Sequence, residues 1–132
     1  MRLVLDTHIW IWSLVDPIRL TPDVRSALAD ADHELWLSSI SVWEVLVLIR
    51  KGRLKVRDAD GQTWVTEALG RAPLREATIT HAIAIASEQL DLDHWDPADR
   101  FIAATAQVLE ATLITADKRL IEFADISVMA NR

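Results

Sequence analysis

Residues 2–6, RLVLD, form a short branched-apolar run that ends on an acid and gives way at once to helix-like sequence from Thr7. Such a run reads as a parallel strand buried on both faces, since a strand with one wet face would alternate apolar and polar residues. The pattern returns along the chain. ELWLS (34–38) leads into SISVWEVLVLIRKG (39–52), REATI (75–79) into helical sequence from Thr80, TLITAD (112–117) into KRLIEFA (118–124), and ISVMA (126–130) comes last. Strands alternating with helices predict an α/β fold, a mainly parallel sheet covered on both faces by right-handed crossovers. At 132 residues the chain is the length of one domain, 1–132, long enough to bury a real core and short for two.

Local signals mark the helices. Thr21 followed by Pro22 is a cap-plus-proline start for LTPDVRSALADAD (20–32), which spaces Val24, Leu28 and Ala31 on one face. Gly52 sits where a C-terminal glycine ends the helix that follows the second strand. Residues 53–62 read as loop, QTWVTEALGRA (62–72) as a helix, and HAIAIASEQLDL (81–92) as another. PADRFIAATAQVLE (97–110) is the clearest helix, with Phe101, Ile102, Thr105, Val108 and Leu109 at helical spacing. Three glycines and four prolines are few, so these elements must be joined tightly, and no repeat or linker interrupts them.

Composition closes off several classes. Without cysteine there is neither a disulfide framework nor a thiolate metal site, which excludes a zinc ribbon and suits a reducing compartment, by default the cytoplasm. MRLVLDTHIW reaches an acid at position 6, and no stretch approaches the ~18 apolar residues a membrane span needs, so neither signal peptide nor anchor is expected. A net charge of −6 argues against a chain that coats nucleic acid nonspecifically. It leaves room for a nucleic-acid enzyme whose carboxylate site recovers positive charge from bound metal ions.

Acids recur where strands end and helices begin. Asp6 closes the first strand, Glu44 lies one turn into the helix after the second, Asp99 falls in the first turn of a helix, and Asp117 closes TLITAD. Each has a purely local explanation: Ser41 with Glu44 as a capping box, Asp96, Pro97 and Asp99 as cap, first helical residue and first-turn acid, and Asp6 and Asp117 as caps. In an open parallel sheet, however, the C-terminal strand ends and the following helix N-termini share one edge, where ligands bind. Two carboxylates 4 Å apart repel by about 4 kcal/mol at an effective dielectric of 20, so convergence there is costly without a cation. Oxygen donors without cysteine select hard Mg²⁺ or Mn²⁺, the ions of phosphoryl-transfer sites.

LVLDTHIWIW, ISVWEVLVLIRKGRL, HWDPADRFIAATA and LITAD, in this order and spacing, resemble the PIN-domain nucleases, specifically the VapC-like toxins of toxin-antitoxin pairs. The resemblance runs from near residue 3 past residue 117 to the last strand. It implies a PIN-like three-layer α/β/α sandwich, a Mg²⁺- or Mn²⁺-dependent endoribonuclease acting on RNA, and metal-binding acids at Asp6, Glu44, Asp99 and Asp117. By the same carry-over Thr7 and Thr115 orient metal waters and Asp96 supports the site. Its implied partners are a small antitoxin protein and a second copy of the chain. Two positions depart from the family pattern: Leu48 stands where a lysine is frequent, which bears on the substrate groove, and Ala98 where a large apolar residue is frequent, which bears on packing.

Other features carry two explanations each. RKGRLKVR places Arg50, Lys51, Arg53, Lys55 and Arg57 together, either a solvated helix C-terminus or an RNA-binding rim that tracks phosphates. Six tryptophans suit core or interface packing, with base stacking open to Trp12 or Trp95. His94, with no second histidine at ligand spacing, is expected to be loop structure. IWIWSLV and VLVLI are apolar all round their helices and so call for cover by a partner or another subunit. A receiver-type phospho-acceptor domain fits poorly, because LDTH has one acid rather than an adjacent pair and ELWLS ends on a serine with no acid at its C-terminal end, while a non-catalytic PIN module that only binds partners would not need all four acids.

Overall fold

The computed structural model describes residues 1–57, 60–92, 96–123 and 125–132. Its elements are β1 (Arg2–Leu5), α1 (Thr7–Val15), a 3₁₀ turn (Pro17–Arg19), α2 (Pro22–Ala29), β2 (Glu34–Ser38), α3 (Ser39–Arg50), α4 (Gly61–Leu69), β3 (Leu74–Ala77), α5 (His81–Gln89), α6 (Pro97–Val108), β4 (Thr112–Thr115), α7 (Lys118–Ile121) and β5 (Ser127–Ala130). The five strands form one parallel sheet in the order β3-β2-β1-β4-β5. Successive strands step one way from β1 to β3, then the chain returns to the other side of β1 to place β4 and β5. The switch point therefore lies between β1 and β4, and a ligand site is expected outside their C-terminal ends.

β1 is buried on both faces, as its unbroken apolar run requires. Leu3 and Leu5 point into a core built with Ile9, Trp10, Val24, Val45, Trp64 and Ile114 from α1 to α4 and β4. Val4 points the other way, into a core with Ile83, Ile102, Ala103, Leu113 and Leu120 from α5 to α7 and β4. Helices thus cover both faces and give the α/β/α sandwich. The alanines at 103, 104 and 106 are almost wholly buried, which lets α6 lie close on the sheet. Asn131 ties the last strand to the opposite layer: its side-chain amide donates to the Arg19 carbonyl at 3.1 Å, and its oxygen accepts from Thr21 N at 2.7 Å.

Most departures from the sequence expectations lie at element ends, where capping decides. The strand expected over 112–117 stops at Thr115, because Asp117 turns away to cap α7 by accepting from Arg119 N at 2.9 Å. The helix expected over 20–32 ends at Ala29, so Ala31 is exposed rather than on its buried face. The helix expected over 81–92 stops at Gln89, and that over 97–110 ends at Val108, which is exposed rather than packed. The third strand is Leu74–Ala77 instead of 75–79. Ser41 and Glu44 do not form a capping box; Ser38 is the N-cap of α3 and accepts from Ile40 N at 3.2 Å, which sets Ser41 a turn inside and frees Glu44 to face away from the helix end. Gly52 has φ +72°, the left-handed conformation that terminates α3 as expected. Among the described residues no helix is long and apolar enough to cross a membrane.

Candidate functional site

Leu5 of β1 is in register with Ile114 of β4, so the residues that follow the two strands emerge side by side at the switch point. Asp6 N still donates to the Ile114 carbonyl at 3.0 Å, which anchors this acid to the ladder. Its carboxylate is then held at both oxygens. Oδ1 accepts from Thr7 N at 2.8 Å as the cap of α1, and Oδ2 accepts from the Thr115 hydroxyl at 2.6 Å. The Thr115 oxygen in turn accepts from Asp117 N at 3.0 Å, linking the second strand-end acid to the first.

Glu44 arrives from α3 and accepts from the Thr7 hydroxyl, whose oxygen also lies 2.9 Å from Ser41 Oγ. Thr7, Ser41 and Thr115 are buried, so these hydroxyls act as fixed posts rather than solvated groups. Asp96 caps α6 by accepting from Ala98 N at 3.1 Å, and Pro97 at the first helical position aims the turn that carries Asp99. Asp6, Thr7, His8, Trp12, Glu44, Asp96, Asp99, Ala116 and Asp117 together line one open cleft of about 330 Å³. The structure thus brings all four sequence-predicted acids to one edge, with Asp96 and Thr7 among them and Thr115 directly beneath Asp6. For Asp6, Asp96 and Asp117 capping and convergence are not alternatives, because these carboxylates both cap helices and line the cleft.

The electrostatics record the crowding. Burial raises the Asp6 carboxyl above its ordinary value, and the charge of Asp99 adds to that, against the lowering effect of Thr115, the Thr7 N–H and His8. Glu44 is pushed up to about 7 by burial and by the charges of Asp99, Asp96 and Asp6, with the Thr7 hydroxyl opposing. Negative charge at this edge is therefore undercompensated. Among the described residues no three acids or histidines are already drawn together as a metal cage, and the cleft stays open. The donors themselves are carboxylate and hydroxyl oxygens, a set that fits a hard divalent cation and no soft one.

Two groups in or beside the cleft, His8 and Arg19, are not among the residues that the sequence suggested, and Trp12, for which it left base stacking open, lies beside them. His8 and Trp12 project from α1 four residues apart, their rings 5.8 Å between centroids, and both line the cleft. The i,i+4 spacing of His8 and Trp12 after a strand-end acid was a signal that could have found His8. Arg19 lies over the Trp12 ring at 4.3 Å, brought there by the 3₁₀ turn. Conversely, Arg50, Lys51, Arg53 and Lys55 are exposed at the C-terminal end of α3 and in the loop beyond, and none of them lines the cleft. Asp93, His94 and Trp95, and with them the expectations for His94 and Trp95, lie outside the described residues, as do 58–59 and 124.

The family model of the PIN domain matches residues 3–126. This chain belongs to the PIN-domain family. It is 31% identical over 119 residues to a curated relative, Ribonuclease VapC22 of Mycobacterium tuberculosis, an alignment that covers 89% of this chain and 88% of the relative. Among solved structures it shares its fold with VapBC2 from Rickettsia felis bound to a promoter DNA fragment, at TM-score 0.76 and 17% identity over 98% of each chain. A DNA-bound VapBC from Salmonella typhimurium matches at TM-score 0.72 and 16% identity, over 100% of this chain and 99% of that one. The PIN-like sandwich and the VapC-like character expected from the sequence are therefore both found.

Two predictions arise from this geometry. Glu44 has an ordinary value of 4.5 and is held near 7 in the metal-free fold, so the folded protein binds the extra proton between those values. The contribution is fully present below about pH 4.5 and is lost as pH rises through about 7. After discounting for the half-exposure of the side chain, it is on the order of 1 kcal/mol. In EDTA, chemical denaturation should show a smaller stability difference between pH 5 and pH 8 for Glu44→Gln than for the wild-type chain. Thr115→Val should remove the hydroxyl held between Asp6 and Asp117 N, leave the buried Asp6 oxygen unpaired, and destabilise the fold by about 1–3 kcal/mol. Urea unfolding at pH 8 measures it directly.

Proposed function

We propose that this PIN-domain chain is a divalent-cation-dependent endoribonuclease and the toxin of a toxin-antitoxin pair, with Asp6, Glu44, Asp99 and Asp117 holding Mg²⁺ or Mn²⁺. The observation that supports it most is the meeting of these four acids in one cleft at the switch point, two of them raised by burial and mutual repulsion. Once bound, such a cation would supply Lewis acidity at a phosphodiester and acidify a water for attack on phosphorus.

The chain's own part is placement. Thr115 and the Thr7 N–H hold the two Asp6 oxygens, and the Thr7 hydroxyl holds one Glu44 oxygen, so both carboxylates would meet a cation in a set orientation. Asp96 supports the site by starting the helix that aims Asp99. Asp6 is almost wholly enclosed, which limits competing water at its oxygens, while the open mouth of the cleft admits a polynucleotide strand. Trp12, with Arg19 stacked on it, forms one side of that mouth and offers a cation next to an acidic floor.

RNA as substrate is supported by the relative named as a ribonuclease, and a protein partner by the VapBC complexes that share the fold. Val15 is exposed, and Leu46, Leu48 and Ile49 only partly covered, which fits helices that an antitoxin or a second copy completes. Induced expression in a bacterial host is the test: the wild-type chain should arrest growth and the Asp99→Asn variant should not. Arrest by both to the same extent would count against a nuclease toxin.

A further inference from the structure

A second, apolar cleft of about 390 Å³ adjoins the acidic one, and the two share Glu44 and Asp96 as a common wall. Its other faces are Ile40 and Trp43 of α3 and Pro97 and Ala98 of α6. Trp43 is 58% exposed, whereas Trp10 and Trp64 are buried in the core. Trp43 thus presents a large apolar ring on the wall of this cleft, immediately before Glu44 in the chain.

We infer that this cleft is a base subsite, in which an unpaired nucleobase next to the scissile phosphate stacks on Trp43. The inference rests on the nuclease function proposed above and deepens it. Three observations favour a nucleobase as the occupant. The cleft is continuous with the acidic site, so one strand can reach both. Its walls are apolar and aromatic, the surface on which unpaired bases stack irrespective of sequence. Two carboxylates, Glu44 and Asp96, line its border with the acidic cleft, and a carboxylate oxygen there can accept from the exocyclic amino group that adenine, cytosine and guanine carry and uracil lacks.

The test compares the full chain with Trp43→Ala and Trp43→Phe on a fluorescein-labelled single-stranded RNA library. Cleavage in Mg²⁺ is mapped by sequencing, and binding is followed by anisotropy in Ca²⁺. Trp43→Ala should weaken binding and raise KM by about 10- to 100-fold, and flatten the base preference at the nucleotide adjoining the cut. Trp43→Phe, which keeps a stacking ring, should retain most of both. Unchanged binding, KM and preference in Trp43→Ala would overturn the base subsite, as would a variant whose only change is a weaker association with a second copy. If the wild-type chain cuts nothing, the nuclease proposal fails, and the binding comparison still decides whether Trp43 holds a base.

Discussion

Asp99→Asn will remove RNA cleavage while leaving the metal-free protein at least as stable as the wild type. Outer-shell partners of a metal site already cost about 10- to 100-fold when mutated, so loss of Asp99, proposed above to hold the ion directly, should exceed about 100-fold. The stability half follows from the electrostatics. Asp99 raises both Asp6 and Glu44 by its charge, and its neutralisation relieves that repulsion. One offsetting loss is the favourable placement of an acid in the first turn of α6, about 0.3 to 1 kcal/mol. Glu44 should also titrate lower in the variant, which shrinks the pH dependence of stability described above. Asp6→Asn should likewise remove cleavage; asparagine keeps the cap of α1, but its amide nitrogen stands where Asp6 Oδ2 accepts from the Thr115 hydroxyl, so relief of repulsion is offset by the loss of that bond. Loss of folding in both variants would instead make these acids structural caps alone.

Mn²⁺ or Mg²⁺ should raise the melting temperature of the wild-type chain, and at pH 8 more than at pH 5. A ligand that binds only the folded state stabilises it by RT ln(1 + [L]/Kd), about 1.4 kcal/mol at ten times Kd. For a chain of this size that is about 4–8 °C. The pH ordering comes from Glu44, which must lose the proton it holds up to about pH 7 before its oxygens can serve a cation. Calorimetric scans of the wild type and of Asp99→Asn, with and without metal, measure the effect. An equal rise in both proteins would place the ion elsewhere.

The layered fold was legible because the buried strands advertise themselves. RLVL and TLIT are apolar on both faces, and only a sheet covered on both sides accommodates that. Asp6, Asp96 and Asp117 were legible one by one as caps, Glu44 was not, and the four acids were legible together through their order and spacing, since strand ends and helix starts share an edge in this topology. The exact element ends were less so. Ser38, not Ser41, caps α3, and a choice between serines three residues apart depends on where β2 stops, which is set by its pairing with β1 and β3. The bond from Thr7 to Glu44 spans 37 residues and no local pattern predicts it. Trp43 shows the same limit, because an apolar helix reveals its exposed side only once its neighbours are placed.

The most direct measurement is incubation of the purified, partner-free chain with total cellular RNA in Mg²⁺, Mn²⁺ or EDTA, with new RNA ends mapped by sequencing. A metal-dependent endoribonuclease predicts discrete internal cuts in either metal and none in EDTA. A folded chain that binds metal and leaves every RNA intact, or one that cuts equally well in EDTA, would contradict it.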